Sequence, residues 1–304
     1  MCWPERLRWG ALLLLYLLAA PAAAELQCEA LTRAAPIDRA AVVHGRGLLW
    51  RVTGADAGES YVLGTMHIAE PRVLQLVDVI QQQFAASPLF AMEVVLDETA
   101  MLKLGTAMFY SDGRRLSQVV GDSLFASVAR HLGEYGVPPT LAENMKPWAA
   151  FTTLSMPVGA SGAPLDLQLM ATARQAGKEV VGLETVDEQL AVFEAVPEND
   201  QVAMLREVAC HYETFQQELD EMVDAYVARD LAALVEQSER YDSEGKQAFM
   251  DKLLYERNAR MAERMVPLLA VGHAFVAVGA LHLPGERGVL RLLEQRGYRV
   301  EAVY

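Results

Sequence analysis

Two distant stretches of the chain are built to one plan. "SYVLGTMHIAEP" (60–71) and "AFVAVGALHLPG" (274–285) each run from an apolar, strand-length segment into Gly-x-x-His. One apolar residue follows, and a proline lies two to four positions after the histidine. In open α/β sheets, ligands bind just beyond the carboxyl ends of the strands. The repeated phrase therefore predicts that His67 and His282 meet in one crevice. The glycine three positions ahead of each histidine is expected to let the backbone turn tightly and aim the ring inward.

The other segments suit such a sheet. "GLLWRV" (47–52) and "SYVLG" (60–64) read as a strand pair. "PLFAMEVV" (88–95) carries Glu93, "KEVVGLET" (178–185) carries Glu184, and "RVEAVY" closes the chain as a last strand. Residues 71–87 read as one helix with Pro71 in its first turn and Val73, Leu76, Val77, Ile80 and Phe84 on one face. A further helix is expected at about 285–296. Helical patterns fill 97–177, and a charged, mostly helical region follows over 186–268. The pattern is α/β: a mixed sheet with flanking helices and a helical insertion, in one domain over residues 25–304.

The first 24 residues have the layout of a signal peptide. Arg6 and Arg8 precede an apolar run from Ala11 to Ala20, and Ala22-Ala23-Ala24 offers a cleavage site. An uncleaved N-terminal anchor is the alternative. Downstream, no uninterrupted apolar run is long enough to span a bilayer, so no stable membrane anchor is expected. Export to the periplasm or medium follows. Residues 1–24 carry Glu5, Arg6 and Arg8, so their removal takes the formal net charge from −14 to −15. Such a surface repels phosphate backbones, which argues against a nucleic-acid partner. Cys28 and Cys210 would remain, either bridged, as is common in exported proteins, or as two buried thiols.

Four strand ends thus deliver polar groups: His67, Glu93, Glu184 and His282. Two neutral imidazoles and a carboxylate are the makings of an open metal site for a divalent ion such as Mn, Co or Zn. Occupancy of such a site should fall as the pH drops below the ordinary histidine pKa of about 6.5. Each histidine could instead be a hydrogen-bonded structural residue, and Glu93 could pair with a buried arginine. Glu184 is expected to cap the helix starting near Val186, and Asp166 to cap the helix "LQLMATARQAG". Lys146 is expected to snorkel at a surface. In "FMDKLLYERNARMAERM", Arg257 falls on the apolar stripe of Met250, Leu253, Leu254, Met261 and Met265. A guanidinium there needs a buried carboxylate or a substrate oxyanion. Asn258 could hold that partner or the substrate. His44, His131, His211 and His273 read as surface or packing residues.

"LLWRV…SYVLGTMH", "FAMEVV", "MKPW", "LDLQLMATARQAGKEVVGLETVDEQL", "DAYVARDLAAL", "LLYERNARMAERM" and "FVAVGALHLPGERGVLRLLEQRGYRVE" together resemble the TraB/GumN family, which includes the TIKI Wnt-cleaving metalloproteases. The resemblance covers about residues 47–304. It implies an α/β sheet with pseudo-symmetric halves, each carrying a Gly-x-x-His motif, related to erythromycin esterases. It further implies His67, Glu93 and His282 as metal ligands, with Glu93, Arg257 and Asn258 as catalytic groups. The implied activity is divalent-metal-dependent hydrolysis of a peptide or protein substrate. A periplasmic metal- or haem-binding protein without turnover is the other reading of the same residues.

Overall fold

The structure, a computed structural model, describes residues 26–304 apart from 55–57, 161 and 243–245. The signal-peptide expectation for residues 1–24 falls outside the described residues. Six strands form one mixed sheet: β1 (Leu49–Thr53), β2 (Ser60–Thr65), β3 (Leu89–Val94), β4 (Glu179–Glu184), β5 (Ala274–Gly279) and β6 (Arg299–Ala302). Their spatial order is β4-β3-β5-β2-β1-β6. The four strands β4, β3, β5 and β2 run parallel, and β1 and β6 complete one side by antiparallel pairing.

The sequence accounts for this division. Every residue of β2 and β5 is buried, as a strand covered on both faces requires. Phe90 of β3 and Phe275 of β5 are fully buried. Both meet Phe84 edge-on, at ring centroid distances of 5.5 and 5.3 Å. Phe84 belongs to helix α1 (Asp78–Ala86). The single helix expected over 71–87 is divided in two. A short turn of helix, Pro71–Leu74, ends where Gln75 leaves helical geometry at φ −80°, ψ 85°. Val73, Ile80 and Phe84 are buried all the same. Burial, rather than helical continuity, is what their spacing recorded.

Helix α2 (Leu165–Gln175) leads into β4, and α3 (Val186–Glu194) leaves it. The long helix α4 (Arg257–Val271) leads into β5, and α5 (Val289–Glu294) follows it. The final helix is thus shorter than the 285–296 expected. The helical insertion comes from two stretches, Glu98–Leu154 and Val186–Tyr212. They share a second apolar cluster that includes Leu116, Leu124, Leu132, Leu154 and Leu205. A disulfide joins Cys28 to Cys210 across a sequence separation of 182. It ties the start of the described chain to this helical layer. Among the described residues, no helix is long and apolar enough to cross a membrane.

Candidate metal centre

The four parallel strands end side by side, and their last residues or first turns carry Glu184, Glu93, His282 and His67 in that spatial order. β2 and β5 are neighbours, pairing Gly64 with Val278 and Thr65 with Gly279. The two Gly-x-x-His phrases are therefore adjacent but one residue out of step. His67 lies two residues past β2, and His282 ends a 3-10 turn, Ala280–His282, that continues β5.

Both rings turn the same nitrogen toward one oxygen. Nε2 of His67 is 3.6 Å, and Nε2 of His282 is 3.7 Å, from Oε1 of Glu93. Each Nδ1 faces a different partner. Nδ1 of His282 lies 2.6 Å from Oδ1 of Asn258, and the Asn258 amide donates to the Arg287 carbonyl at 2.9 Å. That second bond fixes which end of the amide faces the ring, so Nδ1 donates and Nε2 keeps its lone pair. Nδ1 of His67 lies 3.2 Å from Oδ1 of Asp166. This is an ion-pair separation, and the buried Oδ1 has no aligned hydrogen bond.

Glu93 is gripped at both oxygens. The Gly279 N–H donates to Oε1 at 2.6 Å, and Arg257 Nη2 donates to Oε2 at 2.5 Å. Arg257 also donates from Nε to Oε2 of Glu184 at 2.8 Å, and its Nη1 stands 3.4 Å from Nε2 of His282. Immediately before it, Asp251–Glu256 is wound as a π-helix, an irregularity common at functional sites. Arg257, Arg260 and Arg264 face the end of β4 from one side of α4. Arg260 binds Oε1 of Glu184 and Arg264 binds the Leu183 carbonyl. The inward guanidinium on the apolar stripe thus meets two carboxylates, and Asn258 positions His282.

The electrostatics follow from these contacts. Burial opposes ionisation of Glu93, but the His282 and His67 rings and the Arg257 guanidinium outweigh it, and its pKa is held well below the usual range. Burial pushes the His282 pKa down to about 4, with Glu93 pulling the other way. Burial also lowers that of His67, but the neighbouring Asp166 and Glu93 carboxylates prevail and raise it to about 10. The His67 side chain remains 52% exposed at the mouth of the crevice, so solvent screens part of that rise.

Three expectations are corrected. Glu184 does not cap the helix after β4. Its side chain is fully buried between Arg257 and Arg260, and the cap is a capping box of Thr185 with Glu188. The Ser/Thr-x-x-Glu spacing in "TVDE" carried that signal. Asp166 does not cap α2. Pro164 holds that position, and Asp166, inside the first turn, turns to His67. Neither motif glycine has positive φ, so neither chain bend depends on glycine's conformational freedom. Gly279 is needed for space: a Cβ there would lie 3.3 Å from Oε1 of Glu93 and 3.5 Å from Nε2 of His67.

Of the remaining candidates, Lys146 reaches Oε1 of Glu194 at 3.6 Å. His131 packs at a tilt against Tyr212, His44 packs edge-on against Trp50, and His211 bonds to the Glu29 carbonyl. Gln189, not singled out in the sequence, donates to Glu93 at 3.4 Å.

A metal ion can be tested against this donor set. Among the described residues, no three His, Cys, Asp or Glu side chains are gathered into a ready ligand shell. Ligand atoms that share one tetrahedral ion at about 2.0–2.1 Å stand roughly 3.4 Å apart, and the two N–O separations here are close to that. Each imidazole also has the Nδ1 partner that ligating histidines usually have. The two separations are compatible with an ion between the rings and Oε1 of Glu93.

The profile of the TraB/PrgY/gumN family matches residues 48–302. A metalloprotease TIKI homolog of Nematostella vectensis is 25% identical over 309 residues, covering 80% of this chain and 64% of that protein. Metalloprotease TIKI2 of Danio rerio is 23% identical over 300 residues, covering 80% of this chain and 58% of that protein. The uncharacterized protein YbaP of Escherichia coli (strain K12) is 26% identical over 169 residues, 53% of this chain and 61% of that one. The chain therefore spans about three-fifths of the length of these relatives. No solved structure matches significantly.

Proposed function

The chain belongs to the TraB/PrgY/gumN family, and from that premise we propose that it is an exported, divalent-metal-dependent hydrolase of peptide bonds. One observation carries the reading: two imidazole Nε2 atoms, at 3.6 and 3.7 Å, converge on one oxygen of Glu93 at the carboxyl ends of parallel strands. The names of the TIKI relatives support a metalloprotease. The Cys28–Cys210 disulfide supports an oxidising compartment, consistent with cleavage of a signal peptide near Ala24.

In this reading His67 and His282 hold the ion through Nε2, with Glu93 as the third ligand. The ion, Zn, Mn or Co, supplies Lewis-acid polarisation of a carbonyl and acidifies water. The chain's own groups do the rest. Asn258 and Asp166 orient the rings. Arg257 shares its charge between Glu93 and Glu184, and in this reading it would steady a developing oxyanion through Nη1, which also donates to the Leu253 carbonyl. Glu93 serves either as that third ligand or as the general base, and its depressed pKa favours the ligand role.

Hydrolysis of a peptide library by the purified protein, with and without chelator, tests the proposal. Chelator-sensitive cleavage that is lost in His67→Ala and His282→Ala is expected. Metal uptake with no cleavage of any peptide would favour the binding-protein reading. Haem is disfavoured as its ligand. The cavity beside His67 holds about 250 Å³, below the range of pockets that enclose even drug-sized molecules.

A further inference from the structure

The cavity beside the candidate centre has two unlike walls. His67, Glu93, Asp166 and Gln189 form one of them. Leu96, Leu104, Leu167, Val186, Leu190 and Phe193 make up much of the remainder. No lysine or arginine lines it. The carboxylates on the polar wall are already engaged, Glu93 by Arg257 and Gly279, and Asp166 by His67. Apart from His67 at the centre itself, an anionic side chain would find no counter-charge here, and both carboxylates already have a cationic or imidazole neighbour.

The apolar wall is a built feature. Leu104 comes from helix Glu98–Ala107, and Val186, Leu190 and Phe193 come from α3. A Lys103–Asp187 ion pair ties these two helices together at the rim. One turn before Leu104, on the same helix, Met101 is 55% exposed and continues the apolar surface outward. The volume, about 250 Å³, suits one large side chain with some main chain rather than an extended ligand.

We propose that this cavity is the specificity pocket of the centre, taking one large aliphatic or aromatic side chain of a polypeptide substrate next to the scissile bond. The inference rests on the hydrolase reading and names the substrate class within it.

Binding can be measured without turnover. The full-length protein is titrated with N-acetyl-leucine amide, N-acetyl-phenylalanine amide and their glycine, glutamate and lysine counterparts, and leucine methyl NMR signals are followed. The leucine and phenylalanine probes should bind at least about tenfold more tightly than the glycine probe, the ratio expected for burying one such side chain. The Leu104 and Leu190 methyl signals should move. Leu104→Glu should abolish the preference at an unchanged melting temperature, and Leu104→Ser serves if the glutamate variant does not fold. Equal binding of the glycine or charged probes by the wild type, or shifts confined to other leucines, would overturn the proposal. An apolar preference without cleavage of any peptide would leave the pocket standing and remove the hydrolase reading. Cleavage indifferent to side chain would do the reverse.

Discussion

The backbone N–H of Gly279 donates to Oε1 of Glu93 at 2.6 Å, and a Cβ on residue 279 would stand 3.3 Å from that same oxygen. Gly64, the matching glycine of the first motif, faces the core instead. Its Cβ would come within 2.9 Å of Leu283 Cδ1 and 3.1 Å of the Ala280 Cα. The two alanine variants should therefore fail differently. Gly279→Ala adopts the native φ of −54° without strain, so its stability should stay within about 1 kcal/mol of wild type. Its hydrolytic activity should fall roughly tenfold or more, as displaced catalytic groups do. Gly64→Ala should lose about 1–3 kcal/mol through overpacking. Urea denaturation and peptide cleavage, measured on both, check the contrast. Equal stability losses would mean that both glycines serve packing alone.

Arg257 is the cation between two buried carboxylates, Glu93 and Glu184. Arg257→Ala leaves both without it, although Arg260 still reaches Glu184. Breaking a buried pair from one side destabilises by about 3–5 kcal/mol. Arg257→Lys keeps the charge but not the forked donors and should recover only part of that loss. Chemical denaturation of both variants gives the numbers. A wild-type midpoint for Arg257→Ala would show that water reaches the carboxylates.

The Cys28–Cys210 bridge closes a loop of 182 positions, for which chain entropy sets a stabilisation of up to about 5 kcal/mol. Reduction should lower the melting temperature without moving the centre's residues, since neither cysteine lies in the cavity. Alkylation of the native, unreduced protein followed by mass analysis should find neither Cys28 nor Cys210 modified. Two alkylated thiols would dismiss the bridge.

What the sequence revealed, and what it hid, divides by range of interaction. β2 and β5 were legible because a strand buried on both faces must be a continuous apolar run. Arg257 was legible as an anomaly, a charge on an otherwise apolar stripe. Its partners were not, because Glu184 and Glu93 lie 73 and 164 positions away and only the parallel sheet order brings them to α4. Asp166 and Glu184 were misassigned for a related reason. An acidic residue near a helix start is locally consistent with a cap, and nothing local shows that a distant histidine or arginine claims it. The break at Gln75 had no glycine or proline to announce it. Gly279 was identified for a conformational reason, when the space beside Glu93 is what excludes a side chain there.

The last prediction concerns proton release on metal binding. Ligation needs neutral imidazoles. His282, pushed down to about 4 by burial, is already neutral at pH 7. Burial lowers the His67 pKa, but Asp166 and Glu93 raise it to about 10, so near pH 7 the ion-free protein is expected to carry this proton. The ordinary histidine value therefore gives the wrong threshold. Zinc binding near neutral pH should displace about one proton from His67, and affinity should rise up to about tenfold per pH unit between roughly pH 6.5 and 8.5. Stability of the ion-free protein should run the other way. A pKa raised from 6.5 contributes stability that is fully present below pH 6.5 and is lost as the pH climbs toward about 10. Calorimetric titration in buffers of different ionisation enthalpy counts the protons, and melting curves over the same range test the opposing trend. Asp166→Asn removes one of the two carboxylates that hold the proton on His67. It should lower the proton count and flatten the pH dependence, while His67→Ala and His282→Ala should each weaken binding about as much as the double variant does. A double variant that takes up zinc as tightly as wild type would falsify the shared centre, leaving the two phrases as neighbouring strand ends.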